Sequence, residues 1–196
     1  ICTPNHCHVD ALLAAMARQK AIYCDKPLTA TLEEARRIEA ALPAYRGTAQ
    51  MTLQNRFFPS ALRARQIVEE GRLGELLQFR VCFLHASNVS PTAPLKWKLS
   101  AAAGGGVIAD LASHALDLAV WLAGDLTDVS AVSKVAYPSR PDVADPSQQR
   151  AVDAEDSVVA LARTRTGAIG TLEATKLALG SEDELRIDLH GTRGAL

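Results

Sequence analysis

Along Gly104–Leu122 only three ionisable side chains interrupt an otherwise apolar run: Asp110, His114 and Asp117. At about 100° per residue, offsets of four and seven place all three on one stripe of a helix. Burying charge is costly unless the charge is paired or used. An acid–imidazole–acid stripe therefore reads in one of two ways. It is a core histidine tied to a helix-mate carboxylate, or a general acid/base on a rigid element whose pKa is set by a neighbouring carboxylate. Asp25-Lys26-Pro27 offers a second reactive group. It follows the short apolar segment Ala21–Cys24, at the carboxyl end of an expected parallel strand, where open α/β sheets place ligands. A lysine there can aim a cation into a crevice; the plain alternative is a surface lysine.

Three other patterns leave alternatives open. His6-x-His8-x-Asp10 has metal-ligand residue types, and together with His114 would make a divalent-metal hydrolase. On a helix, however, His6 and His8 stand about 200° apart, which disfavours a shared ion. Gly104-Gly105-Gly106 can seat a phosphate at a helix N-terminus or allow close backbone packing beside a cleft. Trp97, in the long segment Ala86–Ala103, is an aromatic wall for a substrate or a loop anchor. No G-x-G-x-x-G occurs.

The elements that must position these residues are legible in part. Val9, Leu12, Leu13 and Met16 have helical spacing, with Asn5 as the expected cap. Ala21–Cys24 reads as a strand. Thr31-Leu32-Glu33-Glu34 has capping-box spacing and opens a helix to about Leu42, and Gly47–Met51 begins another strand. This alternation implies βαβ units and a parallel sheet. A helix is expected from Ser60 to about Glu70, with Leu62, Ile67 and Val68 inward and Gly71 ending it. Leu77, Phe79, Val81 and Phe83 alternate as in a half-buried strand. Strands follow near Val129–Val135, Ser157–Ala162, Gly170–Ala174 and Leu185–Leu189, with Tyr137–Asp153 as an exposed loop. Short turns between them suggest an antiparallel sheet, so an α/β segment is followed by an α+β one.

Bulk properties narrow the partners. The 196 residues are 48% hydrophobic and 22% charged with a formal net charge of −1, as in globular proteins. No basic cluster with interleaved aromatics is present, so nucleic acid is not an expected partner. Cys2, Cys7, Cys24 and Cys82 form no C-x-x-C pair, and are expected as buried thiols in a reducing, cytoplasmic compartment. Val107–Leu122 is shorter than the roughly 20 residues of a membrane span, so no membrane partner is expected. Ile1 in place of Met, and a Gly191–Leu196 end that reads as a turn running into a strand, suggest the middle of a longer protein.

Four motifs in order carry a family resemblance: Thr3-Pro4-Asn5 with His8, Cys24-Asp25-Lys26-Pro27, Gln54-x-Arg56-Phe57-x-Pro59, and Gly104-Gly105-Gly106-x-x-x-Asp110-x-x-x-His114-x-x-Asp117. The set resembles the Gfo/Idh/MocA oxidoreductases. The resemblance implies part of a Rossmann-like NAD(P)-binding domain over residues 1–53, lacking its N-terminal half. It implies a dihydrodipicolinate-reductase-like α/β domain over residues 54–196, with a large, mostly antiparallel sheet and its end missing. It further implies NAD or NADP as cofactor, and hydride transfer between nicotinamide and a sugar, cyclitol or related polyol carbon. Lys26, Asp110 and His114 are then catalytic. Thr3, Pro4, Asn5, His8, Asp25, Lys26, Gln54 and Arg56 lie on the cofactor side, and Trp97, Asp110, His114 and Asp117 on the substrate side. In this reading His114 takes the hydroxyl proton, Lys26 donates to the substrate oxygen, and Asp110 orients His114. A homo-oligomer, dimer or tetramer, through the C-terminal sheet is implied as well. Asp25 stands where the family usually has Glu, one methylene longer. A non-catalytic ligand-binding protein on the same fold remains the third alternative.

Overall fold

The computed structural model describes all 196 residues. Its N-terminal layer holds α1 (His8–Ala17), β1 (Ile22–Asp25), α2 (Leu32–Ala41) and β2 (Ala49–Thr52). β1 and β2 pair in parallel, Ile22 opposite Ala49, as strands joined by a helical crossover must. Val9, Leu12 and Met16 of α1 pack on Ile22, Cys24 and Ile38 in a small core of their own. α2 begins with the expected capping box. Thr31 Oγ1 accepts from the Glu34 N–H at 3.2 Å, and Glu34 Oε2 accepts from the Thr31 N–H at 3.1 Å, which satisfies two otherwise orphaned donors. Asn5 does not cap α1. It lies in a 3₁₀ turn, Asn5–Cys7, and its amide donates instead to Gly104 O at 2.7 Å.

The second layer is a five-stranded sheet with a helix on one face. α3 (Pro59–Glu69) leads into β3 (Leu76–His85); α4 (Ser113–Ala123) precedes β4 (Leu126–Lys134), the short pair β5 (Ser139–Pro141) and β6 (Gln149–Ala151), and then β7 (Ser157–Thr164), β8 (Ile169–Thr175) and β9 (Asp183–Gly191). The order is β4-β7-β8-β3-β9. Three pairings are antiparallel, while β3 and β8 run parallel, so the sheet is mostly antiparallel, as expected, with one parallel pair. A tight turn joins β7 to β8, whereas β3 meets β8 only after a crossover through α4, β4 and β7, and only a tight hairpin forces opposite directions. Ala115, Ala119 and Leu122 of α4 press on Phe79, Val81, Leu172 and Leu189 of the sheet.

Several side chains fall elsewhere than their pattern implied. Leu62 and Leu77 are exposed; Ala64, Ile67 and Val68 are the α3 residues that reach the core. Tyr137–Asp153 is not simply an exposed loop, because it carries the β5–β6 pair and the buried residues Arg140 and Val152. Only Cys24 is a buried thiol, and its pKa is pushed up mainly by that burial; Cys2 and Cys7 are exposed, and all four cysteines are free. The helical run Ala101–Ala123 has the length and apolarity of a membrane span, but more than half of its apolar stretch is buried inside the fold. It is the core helix of this sheet.

Candidate functional site

α4 does not start as an ordinary helix. A single π turn, Ile108–Ala112, precedes it and carries Asp110; such insertions often sit at functional sites. Just upstream, Gly104 and Gly106 have φ of +73° and +105°, a region that favours glycine. A Cβ at Gly104 would lie 2.6 Å from Ala30 Cβ and 2.8 Å from Asn5 Cβ. The glycines thus let the second layer meet the first at van der Waals range. They do not form a phosphate cradle, because the helix start already has its anion. Glu155 Oε1 accepts from the Ile108 N–H at 2.9 Å, and Glu155 O from the Val107 N–H at 2.8 Å, so a carboxylate occupies the positive end of the helix.

Asp110 is the hub of the site. Lys26 Nζ donates to Asp110 Oδ1 at 3.0 Å and to its carbonyl O at 2.5 Å. Lys98 Nζ donates to both carboxylate oxygens, at 2.9 and 3.1 Å. Lys176 Nζ sits 2.8 Å from Oδ2. Burial opposes ionisation of Asp110, but Lys176, Lys26 and Lys98 together outweigh it and hold the carboxyl well below the usual carboxylate range. Lys176 belongs to no motif identified in the sequence. Its one signal is a lysine directly after an apolar strand, the same signal that singles out Lys26.

His114 follows on the first turn of α4, 5% exposed, with its Nδ1 buried and without a partner. Its ring lies against Phe83, centroids 6.2 Å apart. Burial lowers its pKa first and Lys26 adds to that, against the pull of Asp110, Asp117 and Asp25. The imidazole is therefore biased to its neutral form. Asp110 makes no hydrogen bond to it. Both carboxylate oxygens are taken by lysines, so the expected orienting contact gives way to stronger charged partners.

The other expected site residues divide. Thr3, Pro4, Asn5, Asp25, Lys26 and Pro27 line a cleft of about 240 Å³ at the carboxyl end of β1. A larger cavity of about 780 Å³ adjoins it, reached by Gln54, His114 and Lys176. Lys26, Trp97, Lys98 and Asp110 face both spaces. Gln54 lines the larger cavity and not the cleft. Arg56 and Asp117 reach neither. They clasp each other in a two-pronged ion pair, Nε to Oδ2 at 2.7 Å, and Arg56 lies over Trp121 at 5.6 Å, so this pair braces α4 from behind. His8 is fully buried, its ring nitrogens 2.9 Å from Pro27 O and Thr3 O. It ties together the two turns that line the cleft rather than facing it. His6 Nδ1 is turned to Ala103 O at 3.3 Å. His6, His8, Asp10 and His114 are thus not brought together, and no group of three or more His, Cys, Asp or Glu is placed to hold a metal. The metal-hydrolase reading falls.

The cleft is placed to take one end of a dinucleotide. It opens at a parallel-strand end, the place open α/β sheets give to such ligands, and it runs directly to a lysine shared with a larger polar cavity. Known proteins agree. The family model for the GFO/IDH/MocA C-terminal domain matches residues 61–196, and that for an oxidoreductase family with an NAD-binding Rossmann fold matches residues 1–52. The chain is 32% identical over 208 residues to levoglucosan dehydrogenase of Pseudarthrobacter phenanthrenivorans, covering 100% of this chain and 53% of that protein. It is 26% identical over 196 residues to inositol 2-dehydrogenase of Rhizobium meliloti, covering 100% of this chain and 55% of that protein. It superposes on levoglucosan dehydrogenase in complex with NADH and L-sorbose with a TM-score of 0.94, at 33% identity, over 98% of this chain and 52% of that one. The chain therefore spans about half the length of the curated relatives it matches. Two successive family models cover nearly all of its residues in the order its two layers follow, and on that ground the chain belongs to the GFO/IDH/MocA family of NAD-binding oxidoreductases.

Proposed function

We propose that this protein moves a hydride between the nicotinamide of NAD or NADP and the CH–OH carbon of a sugar, cyclitol or related polyol. One observation carries the reading: a buried imidazole biased to its neutral form and a lysine ammonium line the same cavity, and that lysine also faces the strand-end cleft. Residues Thr3, Pro4, Asn5 and Asp25 with Lys26 would hold the cofactor side. When bound there, the nicotinamide supplies the hydride acceptor. His114 accepts the hydroxyl proton as general base. Lys26 donates a hydrogen bond to the same oxygen and stabilises its developing negative charge. Asp110 anchors Lys26 through its backbone and side-chain oxygens. Trp97 walls the substrate. Residues 1–53 read as the cofactor domain and 54–196 as the substrate domain, a division supported by their separate hydrophobic clusters.

The test is an assay of the full chain with NAD⁺ and NADP⁺ against a panel of cyclitols and cyclic sugars. At least one substrate should give reduced nicotinamide, and Lys26→Ala should cut that rate by about 10²-fold or more. No turnover on any panel member, or full turnover in the Lys26 variant, would count against the proposal.

The outer face of the sheet supports a second part of the reading, a homo-oligomer. Val132, Val159, Leu161 and Ile169 are all exposed on the face that α4 leaves bare, and a contiguous apolar face of this kind marks an interface. Light scattering should give a dimer or tetramer, reduced to monomer by Leu161→Asp. A wild-type monomer at micromolar concentration would oppose it.

A further inference from the structure

The larger cavity is strongly basic. Lys26, Lys96, Lys98, Lys176 and Arg140 line it, against the carboxylates of Asp110 and Asp183. Around Asp110 the imbalance is local. Three ammonium groups share one carboxylate, which can cancel only one of their charges. Their hydrogen bonds are also incompletely used. An ammonium has three donors. Lys26 spends two and Lys98 two on Asp110, whereas Lys176 makes one contact, to Oδ2. Lys176 is only 4% exposed, so water does little to stabilise its remaining N–H groups, and buried charge without a full set of partners is costly.

Arg140 adds to the same field. It is 1% exposed, and it donates only to the carbonyls of Asn88, Ser90 and Ala93. It has no carboxylate partner, and its Nε is buried without any partner. A neutral polyol would need no such excess, since hydroxyl recognition works with uncharged donors and acceptors.

Resting on the proposed hydride transfer, the geometry points to a substrate that carries an anionic group. A carboxylate or a phosphate on the sugar is bound by Lys176 and Lys98 while the reacting CH–OH faces Lys26 and His114. Lys176 is then the residue that reads charge.

Calorimetric titration of the full chain, loaded with NADH, tests this with matched sets: D-glucose, D-glucuronate and D-glucose 6-phosphate, and the corresponding galactose set. At least one anion should bind about tenfold or more tightly than its neutral parent, with an affinity that falls as salt rises. Glucuronate alone would identify a carboxylate subsite, the 6-phosphate alone a phosphate subsite, and both a subsite that reads charge only. Lys176→Met should erase the preference and Lys176→Arg restore most of it. The wild-type salt dependence decides the matter even where the Met variant fails to fold. Equal binding of anion and parent, binding unaffected by salt, or no anion binding in either set would overturn the inference. Anion binding without hydride transfer would leave this subsite standing and remove the proposed reaction. Turnover of neutral sugars alone would do the reverse.

Discussion

Replacing Asp110 with Asn lowers the folding stability by about 3–5 kcal/mol, the range for removing one partner of a buried ion pair. The carboxylate is 18% exposed and its partners Lys26 and Lys176 are 14% and 6% exposed, so screening relieves little of the cost at those two, whereas Lys98, 46% exposed, is screened and adds little. The loss leaves three ammonium groups, each now within about 3 Å of a neutral amide, with no anion among them. Asn retains one oxygen acceptor but no charge, so Lys26, Lys98 and Lys176 repel one another. Lys26 keeps only its bond to the backbone carbonyl of residue 110, and its aim into the cavity loosens with it. The pH dependence follows from the sign of the shift. The folded carboxyl is held well below its unfolded value of about 3.9. Its stabilisation is thus complete above that unfolded value, and is lost as pH falls through the lower folded one. Denaturant titrations at pH 7 and pH 3 check both parts. Wild type and Asp110→Asn should differ widely at pH 7 and by less at pH 3. A difference below about 1 kcal/mol at pH 7 would place the three lysines in a solvated, weakly coupled cluster.

The second large effect belongs to His114. His114→Gln should lower kcat by about 10²–10⁴-fold, the usual contribution of a positioned general base. Gln preserves the approximate volume and a polar end, so the core around Phe83 and Leu118 keeps its packing. The wild-type pH profile carries the finer prediction. A general base works in its neutral form, so activity for oxidation falls once His114 is protonated. Because burial and Lys26 lower that pKa, the acid limb lies below the ordinary imidazole value of about 6.5. The variant should lose this limb together with its rate. A wild-type limb at or above 6.5, or a His114→Gln enzyme with the wild-type profile, would assign proton removal to another group.

Much of this arrangement was readable from residue order. The strand-end position of Lys26, the alternation of Phe79, Val81 and Phe83, and the capping box at Thr31 are local patterns that follow directly from backbone geometry. The helix carrying Asp110 and His114 was readable for the same reason. What escaped was set by contacts between distant segments. Lys176 reaches Asp110 because the end of β8 packs against the π turn, Ala174 against Leu111 and Ala112, across more than 60 residues of chain. Glu155 caps the helix start from 47 residues further along the chain, which turned the glycine run from a ligand cradle into a packing seam. Arg56 and Asp117 each look like site residues alone, but 61 residues of separation bring them onto each other. The π turn that carries Asp110 had no visible sequence mark at all.

The most direct measurement follows the hydrogen itself. A polyol that the full chain oxidises is labelled with deuterium at the reacting carbinol carbon and turned over with unlabelled NAD⁺ in ordinary water. Mass spectrometry of the nicotinamide product should show one deuterium per carbonyl formed, with none appearing in solvent, because the carbon-bound hydrogen passes directly while only the hydroxyl proton goes to His114. Unlabelled reduced nicotinamide, with the deuterium recovered in water, would contradict hydride transfer at this site.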